Sequence, residues 1–410
     1  LKVEGTYIAV TNTPSTLASR LKIVYPNGIT SLVPDGTELI KRLKFKSDLI
    51  VGKRAEFDVQ LNHELGFSVG QGELTLNAAI AQETATAQVD PYQVILRSRV
   101  SYDLISRAKS EKAAFATFND SKFIPMTESF RKREETLAMH GRVGLGIVSG
   151  NSSGVLTIRA DQWCPVLWLG LKGAVLEAFT ATTGGSQHDG DLTISSVDIA
   201  NRTVTVTGTS TSVVSGDYLF FKSHRGAEPQ GLWSIARNTG TLYNISASTY
   251  PLWAANAYDV STSALSFGKI LEASALSANK GCAEKLVCLV PPKAFQKLNA
   301  DQAALKQYGV TKTAENGFEK LVFHGACGPI EVVSHLYSKE GECVMFPERY
   351  TYFIGSQEMT NVVGPGGDIV FDLESSSAKE MRLYAEWTVF CEKPGYITYM
   401  TRSDNLALHT

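Results

Sequence analysis

Residues 231–253 read GLWSIARNTGTLYNISASTYPLW. Gly231, Leu232 and Trp233 open the stretch, and Ser248, Thr249, Tyr250, Pro251, Leu252 and Trp253 close it. Each end carries a tryptophan in an apolar setting, as do Trp163, Trp168 and Trp387 in CPVLWLG and AEWTVF. Indole rings can stack on sugars or bases, but rings set among such neighbours are core residues. The stretch therefore reads as buried structure rather than as a ligand platform.

The composition permits real cores. The 410 residues are 43% hydrophobic and 20% charged, which argues against disorder and allows one large domain or several linked ones. The formal net charge of −2 gives the chain no overall electrostatic footprint for nucleic acid. No uncharged apolar run approaches about 18 residues, so no membrane span is expected. The opening LKVEGTYIAV lacks the basic and apolar regions of a signal peptide. Cys164, Cys282, Cys288, Cys327, Cys343 and Cys391 are scattered with no CxxC pair, and read as reduced, mostly buried thiols.

Motifs that would carry chemistry are weak. Gly150-Asn151-Ser152-Ser153-Gly154 matches the nucleophile pattern GxSxG, which works only on a strand–turn–helix elbow. The residues that follow, VLTI, are strand-like, so a tight turn between two strands is expected. Gly144-Leu145-Gly146 and Gly364-Pro365-Gly366-Gly367 precede no helix and cannot aim one at a phosphate. The seven histidines are dispersed without HxxxH or HExxH spacing. Nothing singles out a carboxylate pair for acid–base work. No catalytic residue, cofactor site or metal site is assigned.

Along the chain, residues 1–45 read as an extended arm punctuated by Pro14, Pro26, Gly28, Pro34 and Gly36. Phe57, Val59 and Leu61 alternate with polar residues, and Tyr92, Val94, Leu96, Ser98 and Val100 alternate on the return. Between these two strands lies a tip loosened by Gly66, Gly70 and Gly72, read as otherwise small and polar. A connection so long is functional or disordered. Residues 101–141 are helical. Ala108, Ala113, Ala114, Phe115 and Phe118 supply one face, Pro125 interrupts, Met126, Phe130 and Leu137 repeat at helical spacing, and Gly141 is the stop. Residues 142–222 are β throughout, with strands at 155–158, 192–199, 203–208 and 217–221. Residues 223–340 alternate helix and strand, predicting a sheet flanked by helices. In the helix FGKILEASALSANKG, Ile270, Leu271, Ala275 and Leu276 fall on one side. Residues 341–410 return to strands.

The segment bounded by Gly231-Leu232-Trp233 and Ser248-Thr249-Tyr250-Pro251-Leu252-Trp253 resembles a signature of tailed-phage major capsid proteins. The order of elements resembles the same family over nearly the whole chain. The resemblance implies an α+β fold of the Hong Kong 97-like capsid type. It implies an N-terminal arm (1–45), an E-loop hairpin (46–100), a spine helix of the peripheral domain (101–141), a small all-β insertion (142–222), an axial domain (223–340) and C-terminal peripheral strands (341–410).

Gly231, Leu232, Tyr250, Pro251 and Trp253 would be signature residues, and Gly66, Gly70, Gly72 and Glu73 would form the E-loop tip at a subunit interface. The implied function is structural: a virion protein, assembled in the host bacterial cytoplasm, whose homo-pentamers and homo-hexamers close an icosahedral shell around double-stranded DNA held without sequence specificity. Portal, scaffold and cement proteins are the implied partners. Some relatives link subunits through a Lys–Asn isopeptide bond. Here no lysine lies between Arg54 and Arg107, which argues against a crosslink carried by the loop. Two alternatives remain: the shell of an encapsulin-type cellular compartment, and a β-rich glycan-binding protein of a phage or bacterial surface.

Overall fold

The computed structural model describes residues 38–100, 124–301, 305–306, 309, 311–315, 318–361, 370–373, 376–402 and 406–409. Most of the expected arm, the helical stretch 101–123 and the glycines at 364–367 lie outside them. In chain order the elements begin with helix α1 (Glu38–Arg42) and strands β1 (Phe45–Lys46), β2 (Ala55–Gln60), β3 (Thr84–Val89) and β4 (Tyr92–Val100). Helix α2 (Ile124–His140) follows, then β5 (Gly146–Ser152), β6 (Val155–Ile158), α3 (Pro165–Trp168), β7 (Val175–Phe179), β8 (Gln187–Asp198), β9 (Thr203–Thr207) and β10 (Tyr218–Phe221). Next come α4 (Leu232–Ala236), β11 (Thr241–Leu242), β12 (Ile245–Ser246), β13 (Asn256–Asp259), α5 (Phe267–Asn279), β14 (Leu286–Val290) and α6 (Pro292–Ala300). The chain ends with β15 (Thr311–Glu315), β16 (Phe318–Gly325), β17 (Gly328–Ser334), β18 (Glu342–Pro347), β19 (Thr351–Asn361), β20 (Val370–Leu373), β21 (Ser376–Cys391) and β22 (Thr398–Thr401).

Two compact units divide these elements: one of residues 1–35, 93–134 and 357–387, the other of 36–92, 135–356 and 388–410. In the first, β20 runs antiparallel to β21 with Val370 opposite Met381, and β4 also pairs with β21. The buried carboxylate of Glu380 meets Arg382 at 2.6 Å and Arg99 at 3.7 Å.

The second unit holds a seven-stranded mixed sheet in the order β13-β22-β18-β14-β17-β16-β15. β14 is buried at every position, as its LVCLV sequence requires of a central strand covered on both faces. Leu286, Cys288 and Val290 point into one core with Ile330, Val332, Cys343 and Met345. Helix α5 closes that core with Phe267, Ile270 and Ala273. Ser266 caps the helix by accepting Lys269 N–H at 3.4 Å, and Gly281 ends it at φ 87°. Ala275 and Leu276, expected on the buried side, are only partly covered; Ser274 and Ser277 take the buried places. The prolines that stop β14 also start α6, because Pro292 occupies its first turn, where no N–H is needed.

Residues 146–221 form a closed barrel, β10-β5-β6-β9-β8-β7. Its interior is filled by alternate residues such as Leu156, Ile158, Leu176, Leu192, Ile194, Val204 and Leu219. The region is not wholly β, since α3 places Leu167 and Trp168 in the same core, Trp168 stacked on Trp163 at 6.4 Å. The Ser152 motif is a hairpin turn, with Ser152 opposite Val155 and both central residues left-handed (Ser153 φ 51°, Gly154 φ 87°).

Three boundaries differ from the sequence reading. The strand returning opposite β2 is β3, within the stretch read as a loose tip, with Ala55 opposite Val89 and Gln60 opposite Thr84. β4 instead joins β21, because Asp90-Pro91 breaks the strand between them. β18 and β22, grouped by sequence with the C-terminal strands, lie in the seven-stranded sheet beside β14 and β13. Finally, α2 ends at His140, but Gly141 is not left-handed; Arg142 is (φ 68°). Gly141 is required for space, because a Cβ there would lie 2.3 Å from the Pro229 carbonyl oxygen.

Candidate assembly elements

Gly231 is pressed into the end of α2. A Cβ on it would lie 2.6 Å from Gly141 N, 2.7 Å from the Leu137 oxygen and 3.0 Å from the Met139 oxygen. The two glycines let two backbones meet, and α4 starts from that contact. Its Ser234 hydroxyl accepts the Gly231 N–H at 3.1 Å and donates to Gln230 Oε1 at 2.6 Å. Leu232 and Trp233 are buried. Arg237 lies 4.9 Å over the Trp233 ring and reaches Glu342 at 2.6 Å.

From α4 the chain makes the β11–β12 hairpin, whose turn residues Tyr243 and Asn244 are both left-handed (φ 51° and 68°). Trp253 is buried and donates its indole N–H to the Leu242 oxygen at 3.0 Å, fixing the closing end of the segment to this hairpin. Pro251 opens a single 3₁₀ turn before Trp253, while Leu252 faces solvent.

The same segment seats the base of the β2–β3 hairpin. Gln88 N–H donates to the Tyr243 oxygen at 2.9 Å, and the Tyr250 hydroxyl bonds the Glu83 carboxylate. Tyr243 donates its hydroxyl to the Val389 oxygen at 2.7 Å. Its ring meets Phe390 edge-on at 5.0 Å, and Phe57 of β2 stacks on Phe390 at 4.6 Å. Burial raises the Tyr243 hydroxyl well above the ordinary tyrosine range, so it stays a donor at any working pH.

Beyond this base the hairpin becomes exposed. Leu65 and Ile80 exchange backbone hydrogen bonds of 2.9 and 2.8 Å, and past them the loop is held by Asn77, bonded to Ser68 and to the Phe67 oxygen. Gly66 (φ 128°) and Gly72 (φ 85°) occupy conformations that favour glycine; Gly70 does not. Glu73 is exposed. The tip is not polar, as the sequence reading expected. Leu65, Phe67, Val69, Leu74, Leu76 and Ile80 are all exposed, Val69 at 94%, Leu76 at 81% and Phe67 at 80%.

A buried polar network, missed at the sequence level, ties the barrel to the sheet. Lys339 is fully buried and donates to the Gly144 oxygen at 3.1 Å and to Gln162 Oε1 at 3.0 Å. Gln162 passes the contact on by donating its amide N–H to Glu342, the carboxylate that Arg237 also reaches. Burial lowers the Lys339 ammonium from its usual range, against the pull of Glu342. Burial alone would raise Glu342, but Arg237 and Lys339 outweigh it and hold the carboxyl below its ordinary value. His140 must donate through Nε2 to the Tyr337 oxygen at 2.7 Å; burial and the nearby Lys339 push its pKa down to about 3. Lys339 sits in SKEGE, a string of polar residues that reads as a solvated turn, so no sequence signal marked it.

The structure thus joins Gly231, Leu232, Tyr250, Pro251 and Trp253 into one folded segment under the hairpin base, with Gly66, Gly70, Gly72 and Glu73 in the tip beyond it. Among the described residues no group of three or more His, Cys, Asp or Glu gathers in metal-holding geometry, and no helix is long and apolar enough to cross a membrane. Neither a protein-family model nor a curated protein compared by sequence matches the chain.

Solved structures do. A chain of the cyanophage A-1(L) capsid asymmetric unit superposes with a TM-score of 0.50 at 11% identity, covering 91% of this chain and 94% of that one. The chain has the Hong Kong 97-like capsid fold. The capsid of Myoviridae phage XM1 gives a TM-score of 0.48 at 8% identity, covering 94% of this chain and 98% of that one. The holo-SrpI encapsulin complex of Synechococcus elongatus gives 0.40 at 8% identity, covering 96% of each chain. At such identities the Hong Kong 97-like likeness is one of fold.

Proposed function

We propose that the chain is the major capsid protein of a tailed phage, a subunit that polymerises into pentamers and hexamers of a shell around double-stranded DNA. The β2–β3 hairpin is its E-loop, α2 belongs to its spine helix, the closed barrel is its β insertion and the seven-stranded sheet its axial domain. The axial domain takes in β18 and β22 as well. The observation that carries the reading is the hairpin tip: six large apolar side chains left in water at the end of a firmly seated base. Monomeric proteins rarely display such a patch without a partner. Burying each side chain contributes about 1.5–3 kcal/mol, so the tip supplies on the order of 10 kcal/mol. That only matches the cost of about 4–15 kcal/mol for immobilising a subunit. A single tip contact is therefore marginal, and repeating it around a closed ring makes it secure.

The test replaces residues 66–79 with a two-residue Asn-Gly turn, which keeps the Leu65–Ile80 bridge. The variant is expected to fold, with an unchanged circular dichroism spectrum, and to form no shells on expression with its scaffold. Normal shells would overturn the role given to the tip. Shells of the intact chain that hold a protein cargo instead of DNA would point to a cellular compartment.

A further inference from the structure

Four of the six cysteines stand in two sulfur pairs. Cys288 Sγ of β14 and Cys343 Sγ of β18 lie 3.3 Å apart, inside van der Waals contact for two sulfurs. Cys282, just past the end of α5, donates its backbone N–H to the Ser277 oxygen at 3.1 Å, and Cys327, in the β16–β17 turn, donates its thiol to the oxygen of Ser274, three residues earlier on that helix, at 3.3 Å, which makes the two thiols neighbours. The remaining two are placed differently: Cys164 donates to the Leu336 oxygen at 3.3 Å and Cys391 contacts Thr351. All six are free thiols and all are buried.

We propose that Cys282–Cys327 and Cys288–Cys343 are oxidation sites, two latent disulfides that lock the seven-stranded sheet once the chain meets a peroxide. The benefit to a shell rests on the function proposed above, since a virion leaves a reducing cytoplasm for an oxidising medium. The chemistry needs one hydrogen peroxide per pair. A thiolate attacks a peroxide oxygen, giving a sulfenic acid and hydroxide, which takes up the proton that thiol released. The second thiol then displaces water and forms the S–S bond. Two electrons pass from the two sulfurs to the peroxide, and two waters leave.

Backbone position orders the two reactions. Cys282 and Cys327 lie in turns that can adjust, whereas Cys288 faces Met345, two residues along β18 from Cys343, so two strands must yield before that bond can close. Burial pushes the Cys327 thiol up to about 12 and that of Cys343 well above the ordinary thiol range, each with its partner thiol adding to the effect. Both reactions are therefore slow and accelerate with rising pH as the thiolate fraction grows. Each closure would fasten segments far apart in sequence, where a cross-link restricts the unfolded chain most.

The experiment uses the full reduced chain, whether or not it assembles. It is held with millimolar peroxide at pH 8, denatured, alkylated, and analysed by intact mass and peptide mapping. The expected result is that only Cys164 and Cys391 are alkylated, with Cys282 linked to Cys327 first and Cys288 to Cys343 later. Cys327→Ser and Cys343→Ser should each delete one link and spare the other. Should either variant fail to fold, the wild-type peptide map decides alone. Six alkylated thiols, links that involve Cys164 or Cys391, or sulfinic acids without links would overturn the proposal. Loss of only two thiols overturns it for the pair that stays reduced. Links in a chain that never assembles would leave the thiol chemistry standing and sink the shell reading instead. If shells form, oxidised shells should withstand urea that dissolves shells kept in dithiothreitol.

Discussion

A methyl group on Gly231 would fall within 3.0 Å of three backbone atoms. Its φ of −97° is open to any residue, so space and not conformation demands glycine there. None of the three neighbours is a flexible side-chain end; all belong to α2 or the residue after it, and all must shift together. Overpacking of this kind costs about 1–3 kcal/mol, and with backbone on every side Gly231→Ala should fall at the upper end. Urea denaturation would show the loss, and a midpoint equal to wild type would mean that the close approach is absent. Gly72 has open space around it and a φ of 85°, so a substitution there strains only the loop. Two glycines of one chain thus answer to different physics, which the sequence, showing only the letter G, does not distinguish.

At the scale of elements, what could be read depended on whether a residue's partner was near in sequence. The α5 helix, the all-buried β14 and the turn at Ser153-Gly154 follow from local periodicity and turn chemistry, and all were legible. The strand before the Ser153-Gly154 turn has no readable range, because GIVSGNS has too few β-branched residues to alternate, and it becomes β5 by pairing with β6 and β10. The β3 strand hid in TATAQV, whose small side chains read as loop. The apolar tip residues were passed over because glycines separate them. In the candidate site, the signature end points were visible, but the Gln88, Tyr243, Phe57 and Phe390 contacts that seat the hairpin span distant segments and carry no local pattern. The network between barrel and sheet is of the same kind, and it has a pH dependence. Folded, His140 stays neutral down to about pH 3; unfolded, it takes a proton near its ordinary pKa of about 6.5. Between those values the unfolded state binds more protons, so stability from this group is present above about pH 6.5 and drains as pH falls. The slope is at most about 1.4 kcal/mol per pH unit. His140→Gln, which keeps a donor for the Tyr337 oxygen, should flatten the decline between pH 6.5 and 5 in urea melts; equal slopes would show that His140 titrates normally.

For the whole molecule, the formal charge of −2 over 410 residues decides what can drive assembly. A chain so close to neutral has no net attraction for DNA and little mutual repulsion, so neither has to be overcome or recruited when copies meet. In the proposed shell the apolar hairpin tip is then the main source of association free energy, and apolar contacts do not weaken as salt rises. Ion pairs do: the screening length shrinks from about 10 Å at 0.1 M to about 3 Å at 1 M salt. The purified chain, stripped of nucleic acid, should therefore form closed shells or rings of five and six at 0.1 M salt, with its scaffold present if it needs one. Those assemblies should persist at 1 M. Light scattering gives their mass and negative stain their form. Assemblies that dissolve at high salt would shift the driving force from the tip to charged contacts. Assemblies that appear only with DNA would contradict the neutral-surface argument. A small, fixed oligomer under all of these conditions, scaffold included, would remove the shell function and leave the fold to be explained by another role, glycan binding being the next to test.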